Sequence, residues 1–230
     1  MPAVPALIRV GHRGAPAFAP DNTIAGFDAA IAAGVDMIEF DVLPDRASGT
    51  LYVAHDRGAL DVRRSLTLTG ALEHFATPPF AQIRLQLDVK RRGIAREVID
   101  ALDATGTRGR AFVSGITDGV RAIAPELPLG WTVPDRPLVG DLPGLRRLYR
   151  ERLPARAAAR IAAREVDALV PHWRLVTARL VAAVRDAGGE IYPWTVDDAA
   201  ELERLAGLGV TGVITNDPRL FASMRQSAAL

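Results

Sequence analysis

Eight side chains in this sequence fall into close pairs whose types could do chemistry together. His12 is followed by Arg13, Glu39 and Asp41 lie two apart, His55 precedes Asp56, and Asp88 and Lys90 repeat the two-residue spacing. A histidine is neutral near physiological pH and can take or give a proton, so two facing one reacting centre form a base–acid pair. Arg13 and Lys90 bring positive charge suited to a phosphoryl group. Glu39 and Asp41, two apart on a strand, point to the same side of the pleat. Side by side in a protein interior they repel, and at least one pKa rises unless a cation neutralises them. With Asp88 they make an all-oxygen donor set for a hard divalent cation, Mg²⁺ or Ca²⁺, completed by water and substrate oxygens. A metal, two histidines and two cations together fit phosphodiester cleavage.

These residues need a scaffold that brings separate strand ends to one edge. Short β-rich runs alternate with helical ones, with strands expected at Leu7–Gly11, Asp36–Asp41, Ile83–Val89, Arg110–Ser114, Leu127–Thr132, Val166–Val170, Glu190–Thr195 and Gly212–Thr215. Helical periodicity is clearest over Ile24–Ala33, Ile94–Ala104, Thr177–Ala187 and Asp198–Leu208. Gly34, Gly106, Gly188 and Gly209 stop those helices, and Thr177 and Asp197 read as N-caps. Eight strands in βα alternation predict a single-domain (β/α)₈ TIM barrel over residues 1–230, in a compact form without a sizeable insertion. In that architecture the chemistry sits at the C-terminal strand ends, where His12, Arg13, Glu39, Asp41, Asp88, Lys90 and Trp194 fall. Leu43–Ala54 is expected to form a hairpin-like excursion. Asp141–Arg164, interrupted by Pro154, reads as two helical pieces, and Pro218–Met224 as a closing helix. His74 reads as structural, and His172, past the sixth strand, as a residue able to reach the pocket rim.

Composition narrows the class. The 230 residues are 49% hydrophobic and 24% charged with a net charge of +1, which gives no reason to expect nucleic acid or a membrane surface as partner. No cysteine is present, so disulfides and thiolate metal sites are excluded. No apolar run is long enough for stable membrane insertion, no signal peptide is evident, and a cytoplasmic location is the default. Oligomeric state is not legible. Of the 28 basic residues only Lys90 is lysine, which hints that this position needs a compact ammonium.

The run GHRG…PDNT…IEFDV…HD, the later LDVK, and PWTVDDAAELERLAGLGVTGVITNDP together resemble the glycerophosphodiester phosphodiesterase family over nearly the whole chain. The resemblance implies a TIM barrel that hydrolyses small-molecule glycerophosphodiesters to glycerol 3-phosphate and an alcohol. Carried over, it makes His12 and His55 the general acid and base, and gives the phosphate to Arg13 and Lys90. It assigns a divalent metal to Glu39, Asp41 and Asp88, and the pocket wall beside the glycerol to Trp194. It also implies attack by the neighbouring glycerol hydroxyl and a cyclic phosphate intermediate. Three features depart from the family pattern: Asp21-Asn22-Thr23 replaces Glu-Asn-Thr, Asp88 replaces a glutamate, and the segment after His55-Asp56 is short. A sphingomyelinase D-like phospholipase acting on lipid and a non-catalytic phosphodiester-binding barrel are the alternatives.

Overall fold

On the strand reading MIEFDVLP the side chains alternate between two environments. Ile38, Phe40 and Val42 pack outward among Phe27, Ala30 and Phe75 of the surrounding helices, while Met37 faces a separate apolar cluster. That division holds around a ring of strands in the computed structural model, which describes residues 6–62, 66–135 and 143–222. In chain order the elements are β1 (Ile8–His12), α1 (Ile24–Ala32), β2 (Met37–Pro44), β3 (Leu51–Tyr52), α2 (Arg57–Val62), α3 (Leu68–Phe75), β4 (Arg84–Val89), α4 (Ala95–Ala104) and β5 (Ala111–Gly115). They continue with α5 (Val120–Ile123), β6 (Gly130–Val133), α6 (Pro143–Ala162), β7 (Ala168–Pro171), α7 (Ala178–Asp186), β8 (Glu190–Ile191), α8 (Ala199–Gly207) and β9 (Gly212–Thr215).

Parallel pairing runs β5-β4-β2-β1-β9 in one arc and β6-β7-β8 in the other. The arcs join through a parallel Val113–Leu129 bridge at one seam. At the other, Thr211 N donates to Ile191 O (3.0 Å) and Ile214 N to Pro193 O (2.9 Å). The result is the expected (β/α)₈ barrel, with β3 as an antiparallel annex on the end of β2 that realises the predicted excursion.

Three apolar clusters follow from the strand alternation. Two lie between strands and helices, one on each arc. The third fills the lumen with Val10, Met37, Phe112, Ala168, Val170, Tyr192 and Ile214. A filled lumen makes the barrel a core, and a cavity opens at the polar strand ends.

Four differences from the sequence expectations have physical causes. The seventh strand is formally only Glu190–Ile191, because Pro193 has no N–H for the ladder; the chain still runs on beside β7 to a His172–Trp194 bridge. Pro154 does not split its helix: α6 runs unbroken from Pro143 to Ala162, with Leu153, Ala157 and Ile161 buried in the second apolar cluster. Helix α8 is capped by Asp198, which accepts from Glu201 N, and Asp197 is freed for another task described below. The short segment after His55 still holds two helices, α2 and α3. The stop glycines all adopt positive φ, between 66° and 81°. Of the expected terminal helix only residues 220–222 are seen as helical; Met224 lies outside the described residues, as does Asp141. Among the described residues no helix is long and apolar enough to cross a membrane.

Candidate active site

The turn after β1 sets the first pair. Gly14 has φ 94°, and a Cβ there would lie 2.6 Å from the backbone of Gly26, so the chain can fold back onto α1 only with glycine at this position. Arg13 itself sits in the left-handed region at φ 53°, a strained setting for a non-glycine residue. This conformation turns the Arg13 backbone N–H toward Glu39 Oε2 (3.0 Å) and its guanidinium Nε toward Asp41 Oδ2 (3.0 Å). Asp21 Oδ2 lies 3.5 Å from Arg13 Nη1, so the aspartate that departs from the family pattern still meets this arginine.

Strands β2 and β4 deliver the acidic cluster. In their parallel register Asp41 lies beside Asp88 and Glu39 beside Gln86. Glu39, Asp41 and Asp88 present carboxylate oxygens that all lie within 4.8 Å of one another. Lys90 faces two of them, with Nζ 2.6 Å from Asp41 Oδ1 and in closer contact with Asp88 Oδ2. Burial, then the Asp41 and Asp88 charges, push the Glu39 carboxyl well above the usual carboxylate range. Burial pushes Asp41 upward too, but Lys90 and Arg13 outweigh it and hold this carboxyl low. For Lys90 the desolvation that favours the neutral amine is overcome by Asp88, Asp41 and Glu39, which raise its pKa.

These residues fit a hard divalent cation. All three donors are carboxylates with converging oxygens, and Glu39, raised first by burial and then by the Asp41 and Asp88 charges, lies where a cation would offset clustered negative charge. Buried Asp41 Oδ1, although close to Lys90, makes no aligned hydrogen bond among the described residues and keeps a lone pair available.

The histidines occupy opposite settings. His12 has a side chain 15% exposed, whereas that of His55 is 43% exposed and its Nδ1 lies 3.3 Å from Asp56 Oδ2. His12 Nδ1 lies 2.7 Å from Asn216 Oδ1. The amide orientation is fixed because Asn216 Nδ2 donates to Asp197 Oδ2 (2.6 Å) and Asn216 N to Asp197 Oδ1 (2.8 Å). Oxygen therefore faces the imidazole, Nδ1 carries the proton, and Nε2 is left as an acceptor 3.9 Å from Glu39 Oε2. Burial, followed by the Arg13 charge, lowers the His12 pKa and keeps the ring neutral.

One cavity of about 130 Å³ gathers the set. His12, Arg13, Glu39, His55, Asp88 and Lys90 line it with Gln86 and Thr132, and Val170, Trp194 and Ile214 form its apolar side. Trp194 is fixed by Nε1 donating to Val170 O (2.9 Å). Buried Asp41 lies behind, holding Arg13 and Lys90.

His172 does not line this cavity; its ring stacks on Trp173 and meets Trp194 edge-on, and its Nδ1 accepts from Arg174 N (3.3 Å). His74 pairs with Asp28 (2.8 Å) outside the barrel, as its structural reading requires.

Sequence reasoning missed several supporting residues. Buried Asn22 donates through Nδ2 to Asp41 Oδ2 (2.8 Å) and accepts from Asp41 N through Oδ1 (3.2 Å). Asn216 and Asp197 hold His12, and Gln86, Ser114 and Thr132 lie around Asp88. Asn22 and Asn216 both sit in the motifs quoted above, so their signal was present; an amide's role is set by what it faces, which spacing does not reveal.

The glycerophosphoryl diester phosphodiesterase family model matches residues 12–76 and 92–220. The unmatched stretch between them includes β4 with Asp88 and Lys90, so these two are located by geometry. A glycerophosphodiester phosphodiesterase of Caldanaerobacter subterraneus subsp. tengcongensis is 26% identical over 94% of this chain and 96% of its own. One of Arabidopsis thaliana is 26% identical over 94% and 72%. A crystal structure described as a putative glycerophosphoryl diester phosphodiesterase from Silicibacter pomeroyi superposes with a TM-score of 0.76 at 24% identity, covering 96% of this chain and 95% of that one. An Oleispira antarctica phosphodiesterase solved with the product sn-glycerol 3-phosphate does so at 0.70 and 19% identity, covering 95% and 97%. The chain therefore belongs to the glycerophosphoryl diester phosphodiesterase family and is by class a phosphoric diester hydrolase.

Proposed function

We propose that the protein hydrolyses small, water-soluble glycerophosphodiesters to glycerol 3-phosphate and an alcohol, with His12 and His55 exchanging the protons. One observation carries this reading: both histidines, both cations, Glu39 and Asp88 border a single cavity, with Asp41 completing the acidic cluster behind it. The product held by the Oleispira antarctica relative supports the same chemistry.

His12, fixed through Nδ1, takes the proton of the neighbouring glycerol hydroxyl at Nε2 as that oxygen bonds to phosphorus. His55, on the more open side, gives a proton to the departing alcohol oxygen as its P–O bond breaks. The product of this step is a cyclic phosphate. Water then opens the ring, with His55 taking its proton and His12 returning one to the released hydroxyl. Arg13 and Lys90 orient the phosphate by charge, and Trp194, Val170 and Ile214 shelter the glycerol carbons. Glu39, Asp41 and Asp88 would hold Mg²⁺ or Ca²⁺, which supplies Lewis-acid charge to phosphoryl oxygens when bound.

The test is hydrolysis of glycerophosphocholine in the presence of Mg²⁺ or Ca²⁺. His12→Ala and His55→Ala are expected to abolish turnover with circular dichroism unchanged, and a chelator to remove activity. Full activity in metal-free protein would contradict the metal assignment.

A further inference from the structure

Gln86 is a buried polar residue that the reaction above does not use. It lies on β4 one pleat below Asp88, is 1% exposed, and borders the cavity. Its Nε2 donates to Ser114 Oγ (3.1 Å), and Ser114 Oγ donates to Asp88 Oδ1 (3.3 Å). Ser114, on β5, is itself fully buried. Proton counting fixes this direction. The hydroxyl has one hydrogen, Asp88 is acceptor-only when ionised, and so the serine must receive its second hydrogen bond from the amide nitrogen. The amide oxygen of Gln86 is thereby turned away from Ser114, and it has no hydrogen-bond partner among the described residues.

The next residue completes the arrangement. Gly115 has φ 78°, and a Cβ there would lie 2.3 Å from Asp88 Oδ1 and 2.5 Å from Val89 O. Its N–H donates to Thr132 Oγ1 (3.0 Å), which ties the turn to β6. Asp88 is therefore set from two sides: Lys90 meets Oδ2, while Ser114 and the bare face of Gly115 define the place of Oδ1. Without Ser114, Lys90 would be the one side chain left holding this carboxylate among the described contacts. A buried amide left with a free acceptor is costly, so an apolar side chain at position 86 would be the more stable choice if packing alone mattered.

We propose that Gln86 and Ser114 form a positioning relay that holds the Asp88 carboxylate in the geometry of the metal cluster. The inference rests on the assignment of Glu39, Asp41 and Asp88 as metal ligands. The relay acts on metal affinity; it leaves the proton transfers at His12 and His55 alone.

The experiment is Mn²⁺ titration by calorimetry and electron paramagnetic resonance of the full chain, with Gln86→Leu, Ser114→Ala and the double variant alongside. Each single variant is expected to bind Mn²⁺ about 10–100-fold more weakly, the size usual for groups that orient a metal ligand. Because both residues act through one carboxylate, the double variant should be no weaker than the weaker single one. At saturating Mn²⁺ most of the kcat for glycerophosphocholine should return. Ser114→Ala is the smaller change, and if Gln86→Leu fails to fold, Ser114→Ala alone decides. Unchanged Mn²⁺ affinity in Ser114→Ala overturns the relay, as do losses that multiply in the double variant. Failure of the unaltered protein to bind Mn²⁺ overturns the ligand assignment, and the relay with it.

Discussion

The two arcs of the barrel carry very different lumen faces. On β1, β2 and β4 the upper positions are His12, Glu39, Asp41, Gln86 and Asp88, with Lys90 just beyond. On β6, β7 and the chain after β8 they are Thr132, Val170 and Trp194. A phosphodiester with a glycerol arm has the same division, charge at one end and carbon at the other. In the proposed function the apolar arc would exclude water from one side of the charged arc and so strengthen the interaction of a bound phosphate with Arg13 and Lys90. The difference teaches that charged groups are confined to one arc and apolar cover to the other, and the proposed function gives the first the chemistry and the second the conditions under which it works.

That division can be broken most severely at Asp41. Asp41→Ala would leave Arg13 and Lys90 without their buried counter-charge and Asn22 without its partner. The expected cost is about 3–5 kcal/mol in urea unfolding, with glycerophosphocholine turnover lost.

Asn216→Ala should spare the fold and lower kcat by roughly 10²-fold, because the imidazole loses the contact that fixes its tautomer. Its pH profile sharpens the point. A base must be neutral to act, and the His12 pKa lies below the ordinary 6.5, so the acid limb of kcat/KM should fall below that value. Removing Asn216 deletes a hydrogen bond that raises this pKa, and the limb should move lower still. A limb moving upward would show that another group is being titrated.

On the apolar arc the expected effects are smaller and of another kind. Trp194→Ala should raise KM about tenfold with kcat little changed, since it removes contact surface that ground and transition states share. A fall in kcat without a change in KM would move Trp194 into the chemistry. Smallest of all in its effect on activity, Pro154→Ala in α6 should leave turnover unchanged and raise stability, by up to about 3 kcal/mol, since it restores a helix hydrogen bond.

The same contrast explains what could be read in the sequence. Charged residues in apolar runs stand out, and their two-residue spacing on β2 and β4 placed Glu39 beside Asp41 and Asp88 beside Lys90 before any fold was known. The four glycine stops and the helix they close were legible because positive φ has a chemical signature. The apolar arc was less so: β8 is two residues long, Pro193 ends its ladder, and helix α6 keeps its proline because burial of Leu153 and Ala157 outweighs the local penalty. Neutral hydrogen-bonding residues were the hardest to find. Asp197 reads as a helix cap from its place in the chain, yet its carboxylate serves Asn216, 19 residues further on and beyond α8 and β9. Gln86 lies two residues from Asp88 on β4, but only the β4–β5 register brings Ser114 beside them.

The central claim, that the charged arc performs phosphodiester hydrolysis through its histidines, is tested most directly by ³¹P NMR. Glycerophosphocholine would be incubated with Mg²⁺ and either the unaltered protein or His12→Ala. The predicted result is replacement of the diester resonance by that of glycerol 3-phosphate, with a transient cyclic phosphate, in the unaltered protein alone. A diester resonance that persists in both samples, or disappears equally fast in both, would contradict it.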